Sequence, residues 1–188
     1  MLIVVTGGSG SGKSEYAESL VMRFAAGSKL YIATMYPFDE ESHRRIARHR
    51  LMRKDKGFDT LECYTGLKQA DVSAYDTVLL ECISNLCANE MYQEGGAGER
   101  TAEEILDGVR RVYGQCRHLI IVTNEIFSDG VVYDPETVRY QRFLGEINRN
   151  LASMADLVVE VVYSIPLFHK VSLTEKHGAG QALDEVFI

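Results

Sequence analysis

The segment Gly7-Gly8-Ser9-Gly10-Ser11-Gly12-Lys13-Ser14 constrains this chain more than any other. It fits the pattern GxxxxGK followed by serine or threonine, and its setting supports the match. An apolar run over 2–6 precedes it and reads as a buried strand. Residues 13–26 come next, with Tyr16, Ala17, Leu20, Val21 and Phe24 on one helical stripe that stops near Gly27. KLYIAT at 29–34 reads as a second strand, so the chain opens with a βαβ unit. Glycines let successive amides turn inward around phosphate oxygens, and the helix N-terminus adds donors and a favourable dipole. Lys13 then reaches the β and γ phosphates, and the Ser14 hydroxyl is positioned for Mg2+. This loop implies a nucleoside triphosphate site; it does not specify the base or the acceptor.

The rest of the chain continues the alternation. Strands are expected at 76–83 (DTVLLECI), 118–124 (HLIIVTN) and 156–163 (DLVVEVVY). Helices are expected over 40–56, 84–93, 102–114 and 136–154, with a flexible GGAGE loop at 95–99 and another loop at 126–135. Thr101 with Glu104 three residues later reads as a capping box. About five strands alternating with helices imply an α/β, P-loop NTPase-like three-layer fold with a mostly parallel central sheet. No internal repeat or linker divides the chain. It reads as one nucleotide-binding catalytic domain over 1–170, with a C-terminal extension over 171–188 that is partly disordered or folds as a cap.

Charge and cysteine usage narrow the class. A formal net charge of −7 argues against a general nucleic-acid binder, which needs a basic surface to displace counterions. Cys63, Cys82, Cys87 and Cys116 form no CxxC pair, so free thiols are expected rather than a disulfide framework or a zinc site. The start carries no basic leader, and no apolar run is long enough to span a membrane. The expected setting is cytoplasmic.

A phosphate loop needs a carboxylate near its magnesium. Glu81, at the end of VLLE, is the first candidate, and Glu125, just past the strand at 118–124, the second. Asn124 beside it can orient substrate; Asp39 is a weaker loop candidate. His49 sits in the most basic stretch, among Arg44, Arg45, Arg48, Arg50 and Arg53. On a helix, Arg45, His49 and Arg53 share a face. Surrounding cations favour a neutral, nucleophilic imidazole and hold phosphate groups, which suits attack on phosphorus to give a phosphoramidate. The residues alone weigh this equally against a solvated basic helix. His43 falls less well on that face. His118, His169 and His177 show no constellation.

Taken together, GGSGSGKS at 7–14, YIAT at 31–34, RIARHR at 45–50, TLE at 60–62, LLECIS at 79–84, VTNE at 122–125 and LGEINRNLASMAD at 144–156 resemble one family. The chain is similar to the bifunctional adenosylcobinamide kinase / adenosylcobinamide-phosphate guanylyltransferases of cobalamin biosynthesis, from its N-terminus to about Lys170. The resemblance implies two reactions: phosphorylation of adenosylcobinamide by GTP or ATP, then transfer of GMP from GTP through an enzyme histidine to the phosphorylated corrinoid. On this resemblance His49 is the guanylylated residue. Lys13 and Glu81 complete the catalytic set, and Ser14 and Glu81 hold the metal. The nucleotide is bound by residues 7–14 together with Thr34, Arg45, Arg48, Arg53, Glu62 and Glu81. Asn124 and Glu125 contact substrate or support the site. A homotrimer is also implied, with a small-molecule corrinoid as partner.

The sequence departs from the family pattern at three places. Phe58 replaces a tryptophan, IFSDGVVYDP comes after TNE with a glycine kept at Gly130, and Arg142 of YQR stands where an aspartate is usual. Two other readings stay open at this point: a single-activity small-molecule kinase, and a GTP-binding regulatory switch.

Overall fold

The computed structural model describes residues 1–24 and 27–172. Strand β1 (Leu2–Thr6) leads through the glycine loop into helix α1 (Lys13–Arg23), followed by β2 (Lys29–Ala33), α2 (Glu40–Arg53) and β3 (Phe58–Glu62). Then come β4 (Thr77–Glu81), α3 (Ile83–Tyr92), α4 (Thr101–Tyr113), β5 (His118–Val122), α5 (Pro135–Met154), β6 (Leu157–Val162) and β7 (Ile165–Val171). The strands form one sheet in the order β3-β2-β4-β5-β1-β6-β7. All pairings are parallel except β6 with β7.

Strand alternation divides the core into two layers. Ile3, Val5, Leu79, Ile120 and Val122 point to one face, where α1 covers them with Ala17, Leu20 and Val21. Leu2, Val4, Ile32, Leu80, Leu119 and Ile121 point to the other, against Leu86 of α3, Ile105 and Val109 of α4, and Leu144, Ile147 and Leu151 of α5. The expected three-layer α/β fold is therefore the one observed.

Helix starts obey local chemistry. The Asp134 carboxylate accepts from the amides of Glu136 and Thr137, and Pro135 takes the first turn, where a missing N–H costs nothing. Asp39, a weak metal candidate by sequence, is the cap of α2: its Oδ1 accepts from the Ser42 amide at 2.7 Å. The capping box expected at Thr101 is absent. Arg100 occupies the cap position without a side-chain bond, while the Thr101 hydroxyl donates to the Gly98 carbonyl at 2.7 Å. Glu104 instead approaches Lys68 and Arg100. A single turn of 3₁₀-helix over Gly98–Arg100 feeds the helix and takes over the role of the cap.

Seven strands replace the expected five. β3 and β7 carry no strand signal because both are edge strands with largely exposed side chains, β3 being mostly polar and β7 interrupted by Pro166. The four cysteines are free thiols, as expected. Among the described residues no helix is long and apolar enough to cross a membrane. Residues 173–188 of the expected extension, with His177, lie outside the described residues.

Leu80 is fully buried at the centre of the larger core layer. Leu80→Ala is expected to cost about 2–5 kcal/mol, because the packed sheet cannot collapse into the space left. Urea unfolding checks it: the midpoint should fall while the denaturant slope stays constant.

Candidate active site

The carboxyl ends of the parallel strands bring the site together. Gly7 has φ 152°, and a Cβ there would lie 2.5 Å from the Val161 carbonyl oxygen of β6. Gly12, at φ 93°, would place a Cβ 2.6 Å from Ser164 Oγ. Both positions require glycine for space as well as for conformation. The loop is pinned from beneath: the Ser164 amide donates to the Ser11 carbonyl at 2.8 Å, and the Glu125 amide donates to the Gly7 carbonyl at 3.2 Å.

Lys13 opens α1, and its Nζ donates to the Gly8 carbonyl at 3.0 Å. Burial pushes this ammonium below its usual range, against the nearby Cys82 and Glu81, which act to raise it. Ser11 Oγ is buried without a partner. A charged amine satisfied only by a carbonyl and an unpartnered hydroxyl in a nest of amides fit a polyphosphate.

Glu81 ends β4 and is buried. Its Oε1 accepts the Ser14 hydroxyl, and its Oε2 accepts the Tyr31 hydroxyl at 3.2 Å. Burial pushes the Tyr31 phenol well above its ordinary range; the charge of Glu81 adds to this and the Arg53 guanidinium opposes it. Arg53 is itself buried, with Cζ 3.4 Å from the centre of the Tyr31 ring. One carboxylate oxygen of Glu81, one of Glu18 and a ring nitrogen of His49 lie within 4.8 Å of one another. The carboxylate that engages the phosphate-loop serine is thus also the neighbour of the candidate nucleophile.

A cleft of about 880 Å³ joins the phosphate loop to α2, lined by Ser9 to Glu15, Arg44, Arg45, Arg48, His49, Glu81 and Asn124. A smaller cavity of about 280 Å³ lies beyond α2, lined by Tyr31, Arg50, Arg53, Glu62 and Tyr64 among others. His49 and Glu81 line both.

The sequence-derived residues divide accordingly. Residues 9–14, Arg45, Arg48, His49, Glu81 and Asn124 border the cleft. Arg53 and Glu62 border the smaller cavity, where Glu62 is held by Arg50 at 2.6 Å and by the Tyr64 hydroxyl at 2.8 Å. Thr34 departs from expectation. It is fully buried, donates its hydroxyl to the Cys82 carbonyl at 2.8 Å and accepts from the Cys82 amide at 2.7 Å. No surface of Thr34 remains for a nucleotide; it fastens the chain after β2 to the chain after β4. Glu125, the second carboxylate candidate, keeps its carboxylate within its own loop. Its Oε1 accepts from the Phe127 amide and the Ser128 hydroxyl of its own loop. Asn124 donates to Ser84 Oγ at 2.6 Å.

Sequence reasoning missed Glu18, Tyr31 and Lys56. Glu18 is fully buried, and its Oε2 is ion-paired to Lys56. A signal existed: Glu18 lies four residues after Ser14 and three before Val21, on the inward side of α1. The cations expected around His49 are therefore only half of its surroundings; two carboxylates stand beside them.

Tyr31→Phe removes the only hydroxyl donated to Glu81 Oε2 among the described residues. A cost of about 1–3 kcal/mol is expected, because a buried carboxylate oxygen is left unpaired. Urea unfolding of the variant against the parent measures it.

Comparison with known proteins agrees with this geometry. Residues 3–168 match the family described as cobinamide kinase / cobinamide phosphate guanyltransferase. The bifunctional adenosylcobalamin biosynthesis protein of Salmonella typhimurium is 34% identical over 180 residues, covering 88% of this chain and 97% of the relative. Its Escherichia coli counterpart is 32% identical over the same shares. A solved KaiC-like protein from Pyrococcus horikoshii superposes with a TM-score of 0.50 at 12% identity, covering 93% of this chain and 81% of that one, and shares the fold alone. With a match over nearly its whole described length and two relatives above 30% identity, the chain belongs to the cobinamide kinase / cobinamide phosphate guanyltransferase family.

Proposed function

We propose that this chain phosphorylates adenosylcobinamide with a nucleoside triphosphate, then transfers GMP from GTP to the product through a covalent guanylyl-histidine at His49. The observation that carries this reading is the shared carboxylate: Glu81 accepts from Ser14 of the phosphate loop and lies within 4.8 Å of both His49 and Glu18. A regulatory switch has no use for a histidine held there.

In the first reaction the loop amides and Lys13 hold the β and γ phosphates of GTP or ATP. The corrinoid hydroxyl oxygen attacks the γ-phosphorus, the bond to the bridging oxygen breaks, and the hydroxyl proton passes to solvent. Ser14 and Glu81 supply the oxygen ligands for Mg2+, which when bound neutralises charge on the phosphates. In the second reaction a ring nitrogen of His49 attacks the α-phosphorus of GTP, forming an N–P bond as pyrophosphate leaves. Arg45 and Arg48 face the same cleft and suit the triphosphate charge. A phosphate oxygen of the corrinoid phosphate then attacks the same phosphorus, the N–P bond breaks, and its electron pair returns to the imidazole. No net proton moves in that second exchange.

Four free thiols support the cytoplasmic setting read from the sequence. Exposed apolar side chains along the last hairpin, Tyr163 at 89% and Ile165 at 61%, support the homotrimer implied by the family resemblance.

Two measurements test the reading. Intact mass after incubation with GTP, Mg2+ and pyrophosphatase should rise by one guanylyl group, acid-labile and absent from His49→Ala, while that variant still phosphorylates the corrinoid. A folded, GTP-binding parent without the adduct would leave a kinase or a switch. Glu81→Gln should slow both reactions by about 100-fold or more, since it serves both; steady-state rates at saturating GTP decide this, and loss of only one would separate the two sites.

A further inference from the structure

Among the described residues, two buried polar atoms on neighbouring side chains lack partners: His49 Nδ1 and Glu18 Oε1. They are complementary in kind. A carboxylate oxygen only accepts, while an imidazole nitrogen can carry a proton. Glu18 is fully buried on α1, and its other oxygen is held by Lys56, just past the end of α2. A Glu18 oxygen, a Glu81 oxygen and a His49 ring nitrogen lie within 4.8 Å of one another. Glu81 is the less available acceptor, because both of its oxygens already take hydroxyl protons from Ser14 and Tyr31. Burying a carboxylate oxygen and an imidazole nitrogen unpaired is costly, and pairing them removes both costs.

We propose that Glu18 is the positioning residue of His49: its free oxygen accepts the Nδ1–H, which fixes the tautomer and leaves the Nε2 lone pair to attack the α-phosphorus. The inference rests on the guanylyl-histidine reading above. As the Nε2–P bond forms and the bond to pyrophosphate breaks, the ring gains positive charge while Nδ1 keeps its proton. The Glu18 carboxylate stabilises that charge at closest range. When the corrinoid phosphate oxygen attacks and the N–P bond breaks, the electron pair returns to Nε2 and the ring is again neutral. Lys56 holds the carboxylate in place through its other oxygen. The separation between the two groups tightens by a side-chain adjustment of the kind common when substrate binds.

The test uses the full chain and Glu18→Gln, which keeps shape but loses the strong acceptor. Nitrogen-15 spectra of the imidazole show which ring nitrogen carries the proton. The parent should show His49 as a single Nδ1–H tautomer, and E18Q a mixture. The guanylyl adduct should form about 100-fold more slowly in E18Q at saturating GTP, with GTP affinity unchanged. An unchanged spectrum, or an unchanged adduct rate, overturns the proposal. If E18Q does not fold, Glu18→Asp keeps the charge but withdraws the oxygen by one methylene, and the same two readings apply. Should the parent itself form no adduct, the guanylyl-histidine reading fails, and the spectra alone decide the Glu18–His49 contact. An adduct formed equally fast in both proteins keeps that reading and removes Glu18 from it.

Discussion

A buried carboxylate at the end of a parallel strand must be surrounded by donors, and at Glu81 that requirement gathers the site. Desolvating an ion costs several kcal/mol, so its neighbours cannot be arbitrary. Ser14 arrives from the phosphate loop, Tyr31 from the adjacent β2, and His49 from α2. The β2–β4 register sets Ala33 beside Glu81, and the paired Thr34–Cys82 bonds lock the two chains one residue further on. Three segments far apart in sequence thereby meet at one pair of oxygens.

The phosphate loop is held by a segment from the other end of the described chain. Gly7 faces the Val161 carbonyl, Gly12 faces Ser164, and the Ser164 amide bonds the loop at Ser11. The β6–β7 turn is therefore the floor of the anion cradle. This explains why residues near 164, remote from every motif, belong to the architecture of the site, and why the antiparallel last strand matters to a parallel nucleotide-binding sheet.

Legibility in the sequence tracks burial. β1, β4, β5 and β6 are apolar on both faces and announce themselves; the FDTLE of β3 is mostly polar with no buried residue, and β7 contains Pro166 at a sheet edge, so neither carries a strand signal. The loop 7–14 and Glu81 could be singled out because a phosphate site asks for residue types at fixed offsets, and His49 because it stands among arginines and in the family motif. Thr34 misleads because a motif position says nothing about which way a side chain faces. Glu18 is harder to read: a glutamate in an amphipathic helix ordinarily marks its solvent side, and only its spacing from Ser14 and Val21 sets it inward. Tertiary contacts between elements with no sequence proximity leave no local pattern to read.

How α2 is held bears directly on His49, the candidate nucleophile. The helix is exposed along most of its length, and its surface ion pairs, Arg45 with Glu41 and Arg50 with Glu62, contribute little each because solvent screens them. Its firm contacts cluster in and just after the last turn: Arg53 stacked on Tyr31, and Lys56 paired with the buried Glu18. His49 sits one turn before Arg53, so its place is set by polar and cation–π contacts rather than by apolar packing. Such contacts respond to charge. Arg45, Arg48 and Lys13 line the cleft, so the charges that face it are distinct from those that locate the histidine. A net acidic chain thus still sets five arginines on one helix, three of them, Arg44, Arg45 and Arg48, lining the cleft beside the ammonium of Lys13.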